Sequence, residues 1–434
     1  MSNVIDEKGA TTVKRKKGYF IYLLIILVFV QLLDSYSASY TGSFPSKIIE
    51  EFLSGYSQNK ADSIMNLSIG LATLGMYFVF FSQGISDRFG RKLMLILTTF
   101  GMGLAALLLN FSVNIQTYTI FLVFTYMFVS SDMWLIYITE ESDAKHRGLY
   151  TNIVMALGIL GPIFIPLFRN IFIPEGSEIG SWRGMTYFPI ALAFPLGMLM
   201  IFTIKESSKF ELMKKDAIKI KSELKPKFNK NLKLLFKSTR KAEVLVLAFM
   251  SFTLGLNYLL LQMAESFAAS NTSLTEDAIS NIIMIIAVSI IIAYLVIAFL
   301  SDKIGRKFLL YIFSAMLPIG SVLLYLGGKL GSNEFLLISM GMTMGYIGHN
   351  GLQILFRIII VEILPTDRRG TGSGFRAFVQ SLGITLGFFI GAFSTQHIGL
   401  GITFLIFGIP VLLNIPLIHI FLKETKGTDL TAVE

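Results

Sequence analysis

The chain has 434 residues, of which 53% are hydrophobic and only 15% are Asp, Glu, Lys or Arg, against roughly 25% charged in an ordinary soluble domain. With a mean hydropathy of +0.67, this excludes a soluble globular protein, because the surplus apolar surface has to face lipid. The net charge of +9 does not point to nucleic acid, since thirteen Lys or Arg against four Asp or Glu in residues 205–241 supply all of it, and a basic stretch between apolar runs reads as a cytoplasmic loop.

A helix crosses the hydrocarbon core in about 20 residues. In chain order, apolar runs of that length predict spans over 18–42, 63–85, 93–111, 117–140, 148–172 and 183–204. A second set follows over 242–268, 277–300, 308–328, 334–360, 370–396 and 401–422. Helices are required because lipid offers no partner to a free backbone group. The expectation is an all-α membrane protein with twelve transmembrane helices in two six-helix halves, 18–204 and 242–422. The tails are 1–17 and 423–434, with a basic linker over 205–241. Ser37-Ala38-Ser39 resembles a signal-peptide cleavage site, but the first run continues past Asp34 and eleven further spans follow.

With both ends inside, the tails and inner loops hold 30 Lys or Arg and the outer segments hold five, namely Lys47, Lys60, Arg169, Arg183 and Lys329. That bias predicts cytoplasmic termini in a plasma membrane. The linker has the composition of short surface helices that attract anionic lipid, and a tether between the halves is a sufficient role for it. The absence of cysteine excludes disulfides and thiolate metal sites, and the four His residues show no ligand spacing, so neither metal nor cofactor is expected.

Two motifs occur once in each half. The loop after the second span reads Gly84-Ile-Ser-Asp87-Arg88-Phe-Gly90-Arg91-Lys92, and the loop after the eighth reads Ser301-Asp302-Lys303-Ile-Gly305-Arg306-Lys307. Glu140 is followed after six residues by Arg147-Gly148, and Glu362 after six residues by Arg369-Gly370. Ordinary positive-inside anchors explain single basic residues, but not the same charge order recurring at nearly one offset. These motifs resemble the signature of the major facilitator superfamily, and more narrowly its sugar-porter and related metabolite-symporter branches. Lys205-Glu206-Ser207-Ser208-Lys209 and Lys423-Glu424-Thr425-Lys426-Gly427 are similar to the sugar porters' Pro-Glu-Ser-Pro-Arg and Pro-Glu-Thr-Lys-Gly segments. Glu362-Ile-Leu-Pro365-Thr366 resembles the Glu-x-x-Pro-Thr of aromatic-acid and organic-ion relatives.

The resemblance implies two halves rocking about a central site, with the repeated charges forming a cytoplasmic latch. In this sequence the latch comprises Gly84, Asp87, Arg88, Gly90, Arg91, Glu140 and Arg147, then Asp302, Gly305, Arg306, Glu362 and Arg369. Five positions depart from the pattern. Phe299 stands where the first motif has Gly84, Asp143 stands where the second has Pro365, and neither proline of the sugar signature follows the sixth span. The Arg that many sugar porters carry about twenty residues before the Glu ending the fourth span is here Ile120. Gly158-Ile-Leu-Gly161-Pro162 resembles only part of an antiporter pattern, and Pro162 is expected to kink the fifth span.

An ionisable group within a span costs roughly 2.5–3.5 kcal/mol, so each needs a reason. Gln31, Asp34, Ser37 and Thr41 share one face of the first span. Ser251, Gly255, Tyr258, Gln262 and Glu265 form a stripe on the seventh, and Tyr346, His349, Asn350, Gln353 and Arg357 another on the tenth. The fourth adds Tyr126, Ser130 and Asp132. Such stripes on spans 1, 4, 7 and 10 fit four cavity-lining helices, and interhelical hydrogen bonding is the plainer alternative. Asp34, Asp132 and Glu265 are the candidates for proton coupling. Gln31, Ser37, Tyr126, Tyr258, Gln262, Tyr346, His349, Asn350 and Gln353 are the candidates for substrate binding. Arg357 and Arg376 are near enough to the inner surface to snorkel.

The reading is a secondary active transporter, functional as a monomer and not an enzyme. It would move a sugar, polyol or organic acid by alternating access in symport with a proton. A passive uniporter, a proton-coupled exporter or antiporter, and a membrane sensor on the same fold are the alternatives. An ATP-driven pump would need a Gly-rich phosphate loop followed by Lys and Ser/Thr, and the sequence has none.

Overall fold

The structure, a computed structural model, describes residues 3–5, 11–13, 17–78, 86, 89–129, 133–142, 147–208, 210–211, 240–364 and 369–426. Two three-residue strands, Asn3–Ile5 and Thr11–Val13, pair antiparallel in the amino tail. All other regular structure among the described residues is helical. Among the described residues, ten helical stretches are long and apolar enough to cross a bilayer, and they coincide with ten of the twelve expected spans. The tenth span lies in Glu334–Ile363, a helix of 30 residues that carries His349, Asn350, Gln353 and Arg357. The second begins as Gln58–Ala72 and tightens to a 3₁₀ turn over Thr73–Phe78; the rest of the expected span, 79–85, lies outside the described residues.

The helices differ from the expected spans in two places that matter for function. The first helix, Lys17–Ser37, ends before Thr41; a 3₁₀ turn over Tyr40–Ser43 and a short helix, Pro45–Phe52, follow. The polar stripe of the first span therefore ends at Ser37. The seventh span is two helices, Lys241–Leu256 and Tyr258–Asn271, meeting at Asn257. Asn257 is buried, and its amide donates to the Thr253 carbonyl at 3.0 Å and the Phe407 carbonyl at 2.6 Å. Interrupted backbone at membrane depth needs such partners, since no water supplies them.

The chain packs as two compact units. One comprises residues 1–40, 74–165 and 183–225; the other comprises 41–73, 166–182 and 226–434. Segments 41–73 and 166–182, which precede the basic linker, thus pack with residues that follow it. The first unit's core gathers Leu27, Val30, Leu95, Trp134, Tyr137 and Met200. The second unit's core gathers Leu247, Leu254, Leu317, Leu352, Phe356 and Ile363. Lipid tails are as apolar as these side chains, so close packing rather than burial from water holds helices together here. The helices Arg306–Leu330 and Glu334–Ile363 illustrate it: a Cβ on Gly341 would lie 2.7 Å from the Leu324 amide nitrogen, so only glycine lets the two backbones approach this closely.

Candidate functional site

Each unit builds the same charged constellation where its repeated motifs end. In the first, Gly90 adopts φ 111°, a conformation open to glycine and strained for other residues, and turns the chain into the helix Arg91–Asn110. A Cβ there would lie 2.1 Å from Glu206 Oε2. The backbone amides of Arg91 and Lys92 donate to Glu206 Oε1 at 2.9 and 3.1 Å, which places a carboxylate where a helix start leaves amides unpaired and favours negative charge. The Arg91 guanidinium donates to Glu140 Oε1 at 3.2 Å and to the Ser86 carbonyl at 3.1 Å. The Ser207 hydroxyl donates to the other Glu140 oxygen.

The second unit repeats this group for group. Gly305 has φ 96°, and a Cβ on it would lie 2.4 Å from Glu424 Oε2. The Arg306 and Lys307 amides donate to the Glu424 carboxylate at 2.9 and 3.0 Å. The Arg306 guanidinium reaches Glu362 Oε1 at 3.0 Å and the Ser301 carbonyl at 2.9 Å, and the Thr425 hydroxyl donates to Glu362 Oε2. Burial pushes the Glu424 carboxyl up, but the backbone amides of Arg306, Lys426, Lys307 and Thr425 outweigh it and hold the group below the usual carboxylate range. Gly84, Asp87 and Arg88 lie outside the described residues, as do the side chains of Arg147, Asp302 and Arg369.

In the first unit, Gln31 donates to Ser35 at 3.2 Å, and its stem packs where a Cβ on Gly158 would come within 2.1 Å. The fifth-span backbone is 3₁₀ at Gly161–Ile163, around Pro162. Asp34 is half-buried, Ser37 and Tyr126 are buried, and Asp132 is outside the described residues. In the second unit, the halves of the seventh span and the tenth span bring several candidates together. Gln262 donates to the Tyr258 hydroxyl at 3.0 Å, the Tyr346 hydroxyl donates to the Leu261 carbonyl, and the Tyr258 and His349 rings are 5.7 Å apart. His349 is buried and its Nδ1 has no hydrogen-bond partner among the described residues. Asn350 donates to the Tyr346 carbonyl at 2.9 Å and accepts from Tyr294 at 3.4 Å, while Gln353 is half-buried beside this group in sequence.

Glu265 belongs to a different cluster. Its carboxylate accepts from Arg169 at 2.8 Å, from the Ser46 hydroxyl at 2.6 Å and from the Ser46 amide at 3.0 Å. Arg169 is fully buried and uses all five of its N–H groups, the others going to the Ser43 carbonyl, Ser280 and both the carbonyl and carboxylate of Glu276. Lys47 reaches Glu276 at 2.8 Å and Glu50 at 3.0 Å. Burial pushes the Lys47 ammonium down, but these two carboxylates outweigh it and hold the group above its ordinary value. Glu276 and Gly305 flank the two ends of one helix of 29 residues, Glu276–Ile304, about 43 Å long. The Arg169 cluster and the Arg306 constellation therefore stand at opposite ends of the unit.

The family model for "Sugar (and other) transporter" matches residues 20–434. The chain belongs to this family. The transporter is 24% identical over 398 residues to the arabinose-proton symporter of Bacillus subtilis, covering 83% of each chain. It is 24% identical over 383 residues to organic cation/carnitine transporter 6 of Arabidopsis thaliana, covering 79% of this chain and 68% of that one. Its fold matches the crystal structure of a D-xylose-proton symporter with a TM-score of 0.76 at 18% identity, over 94% of this chain and 99% of that one. The fold is thus the all-α, twelve-helix architecture of the major facilitator superfamily, and the protein is an integral membrane transporter.

Three groups of the transporter were not reached from sequence. Glu206 and Glu424 were visible only as echoes of a signature, although their 218-residue offset nearly equals that of the Arg91 and Arg306 motifs they cap. Tyr294 carries no repeat or motif signal. Arg169 counted as an outer-loop charge, and nothing in the sequence links it to Glu265, 96 residues later.

Proposed function

We propose that the transporter is a proton-coupled symporter of a small polar organic solute, a sugar, polyol or organic acid, working by alternating access in the plasma membrane with both termini cytoplasmic. The observation that carries this reading is the duplicated constellation of Gly, Arg, two Glu and a hydroxyl, which ties three helix ends together in each unit. These are the cytoplasmic latch. At the other end, Arg169 and Glu265 join segments before the linker to helices after it, and this contact is the outer gate that breaks when solute enters from outside. Alternating access requires that contacts at the two faces break in turn, so that each open state is weakened by loss of one set; in this structure both sets are formed.

The residues that bind solute are drawn from Tyr258, Gln262, Tyr346, His349, Asn350 and Gln353 in the second unit and from Gln31, Ser37 and Tyr126 in the first. Asp34 carries the proton. Its neutral form suits the closed intermediate, because holding a bare charge in a dry passage is costly. The proton-symporting arabinose relative supports the coupling mode. The test is uptake by proteoliposomes under an imposed proton gradient. Asp34→Asn is expected to abolish accumulation while leaving exchange between preloaded vesicles largely intact, since exchange needs no return of the empty carrier. Accumulation by Asp34→Asn with undiminished response to external pH would place the proton elsewhere. Wild-type uptake that never exceeds equilibration would identify a passive uniporter.

A further inference from the structure

Arg376 is a buried cation that the transport cycle above does not use. It lies in the helix Arg369–Ile398, seven residues and about 10 Å from its start. With 5% of its surface exposed it does not snorkel to the exterior. Arg169 finds an acceptor for each of its five N–H groups, whereas Arg376 has one acceptor among the described residues, Gln380 Oε1, at 2.8 Å from Nη1. Its Nε is buried with no acceptor among the described residues. The neighbouring charge is of the same sign: Arg357, an exposed residue of the tenth span, repels it. A guanidinium buried without a counter-charge is destabilising unless an anion completes it.

We propose that Arg376, positioned by Gln380, binds a carboxylate of the transported solute, so that the cargo is an organic anion rather than a neutral sugar. Gln380 engages Nη1 and leaves the buried Nε, on the Nε–Nη2 edge, without an acceptor among the described residues. That edge presents two parallel N–H groups at the spacing of the two oxygens of a carboxylate, and such bidentate pairing is strong and directional. Arg357 raises the positive potential of the same region. A neutral polyol would leave both charges uncompensated. The inference rests on the transport reading and narrows its substrate class.

The test uses the purified full chain and monocarboxylates of graded size, acetate, lactate, gluconate and benzoate, each against a neutral analogue: ethanol, glycerol, glucose and benzyl alcohol. Thermal stabilisation and counterflow in proteoliposomes are read for each pair. The wild type is expected to prefer at least one carboxylate over its analogue by about 10–100-fold, the range of hydrogen bonds to a charged group. Arg376→Gln is expected to lose that preference while the unliganded protein melts at a higher temperature, because an uncompensated charge has been removed. Arg376→Lys, which keeps the charge without the fork, retains part of the preference, and Gln380→Leu lowers it with Arg376 in place, so the result does not depend on one variant folding. A wild type that takes no carboxylate in preference, or an Arg376→Gln variant that keeps the preference, overturns the proposal. Counterflow of neutral solutes by the wild type at rates matching their carboxylate partners overturns it while the transport reading stands; counterflow of no compound of either class overturns both.

Discussion

A carboxylate holds a helix start only while it is charged, and Glu424 does so for the helix Arg306–Leu330. Its pKa is depressed in the folded protein. Its contribution is therefore present above the unfolded value of about 4.3 and is lost as the pH falls through the lower, folded value. Glu424→Gln is expected to lower the melting temperature at neutral pH by the equivalent of about 0.5–1 kcal/mol, discounted because the side chain is exposed. The difference from wild type should close as the pH is taken below the usual carboxylate range. A melting-temperature gap that widens with acid would contradict the capping role.

At the scale of single elements, the break in the seventh span offers a direct measurement. Asn257→Ala removes both side-chain donors and leaves the Thr253 and Phe407 carbonyls without them. A lost hydrogen bond costs about 0.5–1.5 kcal/mol, so a lower melting temperature is expected together with slower transport at saturating solute. An unchanged melting temperature would mean that the break is held by other contacts. This element also marks how far the sequence could be read. Ten spans were legible because length and apolarity alone identify them, and the polar stripe that lowers the hydropathy of the tenth span is the one that named His349 and Asn350. The interruption at 257 was not legible, since no Pro marks it, Gly255 is equally at home at a close helix contact, and Asn is a stop signal only when its side chain finds carbonyls from another helix. The constellations were half legible: a repeated motif exposes Arg91 and Arg306, but which carboxylates they meet depends on three-dimensional closure. The Arg169–Glu265 pair was not legible for the same reason.

For the whole molecule, orientation is the property most easily checked, because the sequence contains no cysteine. Single replacements Lys47→Cys, Asn271→Cys and Lys329→Cys are expected to react with an impermeant maleimide from outside intact cells. Lys16→Cys, Lys221→Cys and Thr428→Cys should react only after permeabilisation. External labelling at Lys221→Cys would invert the topology.

The membership of the second unit has a consequence for how the protein is made. Segments 41–73 and 166–182 emerge from the ribosome well before the helices they pack against. Arg169 is synthesised 96 residues ahead of Glu265 and earlier still than Glu276. During that interval its guanidinium has no carboxylate from either helix, and the polar end of the fifth span must wait in water. Synthesis proceeds from one end, but this unit can be completed only when late residues return to early ones. The first half of the chain therefore enters the membrane with part of its final packing still owed to residues that have not yet been translated.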